Sequence, residues 1–304
     1  MSPFVIWNEH EWVTRGSQSG GGGLPKEFPN EFNTGLAGKG LNASNMDPMG
    51  AEFGSFGIGE NYRRLFDTRL YTGTERTRID TGPFIANECL FLGPVDADHS
   101  GVTAEFNDCN IDGLAGALGL GYQELTIRRC NIENGVQALN ISRGSIYVED
   151  SYIHHPYLID EAHINPVYCG AVGSGKFVTF KHCTFWQPEL DNEQGGGGTS
   201  SLTFLPDFGP INNVTVEDCL FRWTGGSYGT YCGWAPGKPY NDDSLNATNI
   251  VYRNNVFERG PSTGYLSGMN ARYGPVTSWR RHETNIWENN TWDDGELIPE
   301  PETD

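Results

Sequence analysis

Hydrophobic positions along this chain recur as a short phrase, with no helical stripe. Phe84-Ile85-Ala86-Asn87-Glu88-Cys89-Leu90-Phe91 is followed by Ala104-Glu105-Phe106-Asn107-Asp108-Cys109-Asn110-Ile111 and by Leu125-Thr126-Ile127-Arg128-Arg129-Cys130-Asn131-Ile132. The phrase returns over residues 146–153 with Ser151 in the cysteine slot, over 178–185 with Cys183, and over 214–221 with Cys219. Asparagine takes the slot at Asn255 and Asn290, within residues 250–257 and 285–292. The pattern, apolar-x-apolar-x-x-[Cys/Ser/Asn]-x-apolar, occurs eight times, at spacings of 20, 21, 21, 32, 36, 36 and 35 residues. Self-similarity at such a period marks stacked supersecondary units that bury their apolar faces on one another.

Each slot fits a coil of short strands. Alternation at period two puts the first two apolar residues on one face of a strand. Two further residues and a small polar side chain suit a corner into the next strand. A corner Cys or Asn is then expected inside, stacked on its equivalents in neighbouring coils about 4.8 Å away. Cysteine serves there as a small buried hydrophobe, and asparagine offers ladder hydrogen bonds and tolerates left-handed backbone. The five column cysteines are therefore expected to be reduced, while Cys169 and Cys232, off the column, are open to either state. A leucine-rich repeat shares part of the motif but keeps to units of about 20–29 residues. The longer intervals here carry Gly, Pro and aromatic residues without helical periodicity. The expected fold is all-β: a right-handed, pectate-lyase-like parallel β-helix solenoid with short coils first and long loop-bearing coils later.

Composition agrees, with 40 glycines and 25 asparagines among 304 residues, both poor helix formers. Four regions are expected. Residues 1–23 form an N-terminal arm with a Gly-rich linker, and 24–71 a cap with the first irregular coils. The β-helix spans 72–295, and an acidic tail, 296–304, is expected to fray. No apolar run reaches the roughly 18 residues of a membrane span. The start, Met1-Ser2-Pro3-Phe4-Val5-Ile6-Trp7, lacks the basic and apolar regions of a signal peptide. With 39 acidic against 20 basic residues, a net charge of −19, nucleic acid and anionic membrane are poor partners.

Several stretches carry a resemblance. Phe28-Pro29-Asn30 with Asn33-Thr34-Gly35-Leu36, residues 207–217 (Asp207-Phe208-Gly209-Pro210-Ile211-Asn212-Asn213-Val214-Thr215-Val216-Glu217), Tyr273-Gly274-Pro275-Val276-Thr277 and residues 285–294 resemble right-handed β-helix proteins of actinobacteria. Those relatives include secreted proteins and minor tail proteins of actinobacteriophages, and the likeness covers roughly residues 25–295. The absence of a signal peptide and the separate arm fit the phage branch better. The resemblance implies a virion protein at the tail tip, docked on other tail proteins through its arm, contacting host cell-surface glycan through its loops, with a homotrimer plausible. Many secreted relatives carry His-x-Asp-x-x-Gln after the fourth coil. Here the stretch reads His163-Ile164-Asn165-Pro166-Val167-Tyr168, and an amide at Asn165 cannot act as general acid or base.

Candidate binding residues lie on the loops of residues 154–248: Asp160, Glu161, His163, Asp191, Asp207 and Asp243, with Trp223 and Trp234. Flat rings beside carboxylates and amides suit sugars. Asp207 and Asp243 each precede the next column residue by twelve, so in registered coils they would stack. A paired carboxylate site would make a glycoside hydrolase or lyase. A purely architectural subunit is the remaining alternative. No catalytic residue, metal ligand or cofactor is assigned; His154-His155 with His163 lacks a second ligand cluster for zinc.

Overall fold

The computed structural model describes residues 27–41, 47–48, 56–58, 64–66, 68–71, 76–98, 101–122, 124–188, 191–241, 246–261, 264 and 266–303. The arm of residues 1–23 and Asp243 fall outside the described residues. The chain winds as a right-handed parallel β-helix of three sheets. In each coil a strand of the first sheet, such as Leu125–Arg128, turns a corner into the second sheet, Asn131–Glu133, then into the third, Gln137–Ile141. Among the described residues the first sheet holds nine strands, the second ten, and the third ten with Gly197–Gly198 off its main path. Strands reach back to Asp47–Pro48, so the segment 24–71 contributes to the sheets.

The repeated phrase occupies the corner between the first two sheets. Its column residues are buried, and all seven cysteines are free thiols, Cys169 and Cys232 included. Burial pushes the Cys109 and Cys219 thiols well up, which keeps them protonated and unreactive. The column does more than fill space. At the corner the column residue's own N–H meets the side chain of the next coil: Cys109 N–H donates to Cys130 Sγ (3.4 Å), Cys130 to Ser151 Oγ (3.1 Å), Cys183 to Cys219 Sγ (3.4 Å) and Cys219 to Asn255 Oδ1 (2.9 Å). A small side chain with an acceptor near Cβ is required, since a buried N–H without one is costly. That explains why Cys, Ser and Asn, and no aliphatic residue, share the slot.

The left-handed backbone falls one residue earlier than expected. Glu88, Asp108, Arg129, Asp150, His182, Asp218, Asn254 and Asn289 all have φ between 49° and 56°, while the column asparagines do not. Being outside, these residues pair along the corner edge: Arg129 clasps Asp108 through two bonds of 2.7 Å, and His182 Nδ1 lies 2.6 Å from Asp150.

A second ladder runs along the outer face of the first sheet. In-register partners two residues before the column read Arg128, Glu149, Lys181, Glu217, Arg253 and Glu288, alternating in sign at every coil. Arg253 Nε reaches Glu288 at 2.8 Å. Such exposed pairs contribute little singly, but like charges placed directly opposite are unfavourable. Arg253→Glu would align three acids and is expected to cost about 1 kcal/mol, read as a lower urea midpoint at unchanged slope. Arg253→Lys should stay within about 0.5 kcal/mol; equal losses in both variants would show that charge order is irrelevant.

Both flanking segments dock. Residues 27–41 lie on the outer face of the second sheet, running against the winding: Phe28 stacks near His182 (5.6 Å), Gly35 N–H donates to Arg129 O (2.6 Å), and Leu36 packs with Leu90. Gly35 has φ 54°, and a Cβ there would stand 1.9 Å from Asn110 Oδ1, so this close approach needs glycine. The tail corrects its expected fraying, because its end supplies a lid for the last coil. Ile298 is buried against the core that includes Trp279, with Trp287 packed on it. Trp287 Nε1 donates to Ile298 O (2.9 Å), Trp279 Nε1 to Glu300 (3.1 Å), and Arg281 meets Glu302 at 2.8 Å. An acidic, proline-bearing composition conceals one apolar plug held by cations.

Candidate functional site

The third sheet carries an unusual outer face. Leu139, Val167 and Leu202 share one register row, and Ile141, Cys169, Phe204 and Cys232 another; all are buried in the core. The polar residues of these strands do not simply alternate with them. Asn140 Nδ2 donates to Gln137 Oε1, Ser200 Oγ and Thr203 Oγ1 lie 2.6 Å apart, and the Tyr228 and Tyr231 rings meet at 5.5 Å. Side chains three apart thus share the side of the sheet away from the core, in two rows: Gln137, Asn165, Ser200, Tyr228, and Asn140, Tyr168, Thr203, Tyr231, of which Asn165, Ser200 and Thr203 are buried and the other five half-buried. The result is a strip of amides, hydroxyls and phenols along the solenoid axis. Asn165 lies at its centre, its Oδ1 accepting from Ser200 N–H (3.2 Å) and Thr203 Oγ1 (2.7 Å).

Loops rise on both edges of this strip, and they divide the sequence-derived candidates. On the edge entered from the second sheet stand Asp160, Glu161 and His163, all exposed, with Asp191 in the loop of the next coil and half-buried Trp223 in the one after. Asn192 Nδ2 joins the first two loops by donating to Asp160 O (2.7 Å). Arg272, brought back from a later coil, pairs with Asp191. Trp223 packs edge-on to Trp186 (6.4 Å), itself covered by the Arg222 guanidinium at 3.8 Å. On the opposite edge, leading to the first sheet, stand Asp207 and Trp234. The Arg280 guanidinium lies 4.6 Å from the Trp234 ring. Loops of residues 154–248 therefore make two walls.

That division separates Asp191 from Asp207 and leaves Asp160, Glu161 and Asp191 on one wall. A strand of five residues, Ser200–Phe204, separates the walls carrying Asp191 and Asp207, a span of about 17 Å. Paired glycosidase carboxylates stand about 5–9.5 Å apart. Each of the two also has its own cation: Arg272 for Asp191, and Lys238 Nζ at 2.7 Å for Asp207. Asp207 further accepts from Tyr168 Oη at 2.7 Å. Burial first, and that carboxylate second, raise the Tyr168 phenol above its ordinary range, so it remains a hydrogen-bond donor and cannot serve as a base. The stacking partner expected for Asp207, Asp243, lies outside the described residues.

Other side chains of the strip escaped the sequence reading. Asn165 and Tyr168 were visible only as departures from a motif, and period-two reading sends positions three apart to opposite faces. Ser200, Thr203 and Lys238 carried no signal. Tyr273, 65% exposed, stands 5.7 Å from Tyr228 and extends the aromatic end. Elsewhere, Glu31, Asn131, Glu133, Tyr152, His154 and His155 line a concavity on the second sheet. Burial depresses both imidazoles, His155 to about 4, leaving them neutral near pH 7. Among the described residues no group of three or more His, Cys, Asp or Glu is placed to hold a metal ion. No protein-family model matches the chain, and no curated protein or solved structure matches it.

Proposed function

We propose that this chain is a phage minor tail protein that holds host cell-surface glycan on the outer strip of its third sheet without cleaving it. The observation that carries the binding part is the strip itself. Its half-buried amides and tyrosines sit on registered strands between two walls, offering hydrogen bonds and flat apolar rings together, while the buried Ser200 and Thr203 hydroxyls bond to each other and to Asn165. Rigid strands keep those groups placed before a ligand arrives, which lowers the entropic cost of association. Cleavage is disfavoured by the ion-paired state and separation of Asp191 and Asp207. Placement on a virion is supported by the resemblance of residues 25–295 and belongs with docking through residues 1–23 and assembly as a homotrimer.

Incubation of the purified chain with intact host cells and with their wall polysaccharide tests this reading. The chain should sediment with cells while releasing neither reducing ends nor unsaturated products. Product that disappears in Asp160→Asn or Glu161→Gln would establish the hydrolase or lyase alternative. Failure to bind cells or polysaccharide would leave an architectural subunit.

A further inference from the structure

We infer that the Asn165 carboxamide is the specificity-determining donor of this strip, and that the ligand it selects is an uncharged, hydroxyl-rich polymer lying along the solenoid axis toward Tyr231. The inference rests on the glycan reading and narrows it. Asn165 is only 3% exposed, and its Oδ1 is committed to two donors from the following coil. Those donors fix which end of the amide is oxygen. Its Nδ2 has no acceptor among the described residues, yet it is not one of the polar atoms sealed from solvent. A buried amide that keeps an unused donor within an outward-facing row awaits an acceptor.

The surroundings define that acceptor. Of the cations flanking the strip, Arg272 and Lys238 are paired with Asp191 and Asp207, while Arg280 lies over Trp234 and Arg143 donates to Phe208 O. Asp160, Glu161 and Glu193 add exposed acidic charge to one wall. A polyanion would find repulsion from that wall, whereas a hydroxyl or ring oxygen loses nothing. Registry sets the direction. Asn165 Oδ1 accepts the Ser200 N–H from the next coil, and Ser200 pairs with Tyr228, beside Tyr231. Two coil steps span about 10 Å, long enough for two linked pyranose rings. One unit would take the Asn165 donor while another stacks on the Tyr231–Tyr228 pair, with Tyr273 beyond.

Affinity electrophoresis through arabinogalactan, mannan, dextran and polygalacturonate tests this on the full chain. At least one neutral polymer should retard the protein and polygalacturonate should not. Asn165→Asp keeps the acceptor for Ser200 N–H and Thr203 Oγ1 but replaces the donor. It should weaken retardation at least tenfold while the thermal midpoint moves by no more than a few degrees. Tyr231→Ala should weaken it at least tenfold as well. Unchanged binding by Asn165→Asp would reduce Asn165 to a structural residue and overturn the inference while leaving glycan binding intact. Retardation by polygalacturonate alone would overturn the uncharged ligand. Retardation by none of the four, with cells still bound, would overturn this inference only; loss of cell binding too would remove the glycan reading beneath it.

Discussion

Replacing Asn255 with leucine should destabilise the protein by about 3–5 kcal/mol, the largest effect expected of any single column substitution. Asn255 is fully buried; its Oδ1 accepts the Cys219 N–H at 2.9 Å and its Nδ2 donates to Val216 O at 2.9 Å. Leucine would leave that N–H without an acceptor and that carbonyl without this donor. An unsatisfied buried group costs about 1–3 kcal/mol, and extra bulk in a packed stack adds strain. Cys219→Asn provides the contrast. Asparagine already occupies the equivalent slot in the next coil, and its Oδ1 can accept the Cys183 N–H that Cys219 Sγ now takes at 3.4 Å. That change should cost less than about 1 kcal/mol. Chemical denaturation at constant slope separates the two. An Asn255→Leu protein within 1 kcal/mol of the parent would refute the acceptor role of the column and return it to simple space filling.

Ile298→Asp should be nearly as damaging, at about 3 kcal/mol. Ile298 is 8% exposed and sits on the aromatic end of the core, whereas its neighbour Leu297 is 65% exposed. An aspartate at 298 must either bury a charge or lift the tail from Trp279 and Trp287. Lifting would bare the last strands, whose unpaired edges and apolar interior invite association. The expected readout is a lower thermal midpoint with concentration-dependent oligomers by size exclusion. Leu297→Asp is the control and should remain within about 0.5 kcal/mol. Equal behaviour of the two variants would mean that the tail does not close the solenoid.

What the sequence disclosed follows from what repeats inside. The column was legible because an inward corner admits few side chains, and Cys, Ser and Asn mark it in every aligned phrase. The residue before it was less plain, since Glu88 and Arg129 hold positive φ without any preference for it, although Asp108, Asp150, His182, Asp218, Asn254 and Asn289 are of types that favour it. The charge alternation of the first sheet lay in the same alignment but has meaning only once the strands are known to pair in register. The third-sheet strip was hidden because Gln137 with Asn140, and Ser200 with Thr203, break the period-two rule by which outward positions are recognised. Candidate carboxylates were found individually, while their assignment to opposite walls depended on which corner each loop extends. In the tail, composition spoke for solvent and one isoleucine for the core.

The alternation from Arg128 to Glu288 also bears on how such a chain can change length. Removing the coil of Lys181 would set Glu149 against Glu217, two acids, whereas removing the coils of Lys181 and Glu217 together would set Glu149 against Arg253. Single insertions meet the same conflict. The solenoid therefore carries a parity: within the run from Arg128 to Glu288, interior coils are gained or lost without electrostatic conflict only in pairs, and an ancestor differing by one such coil would have needed a compensating change of sign.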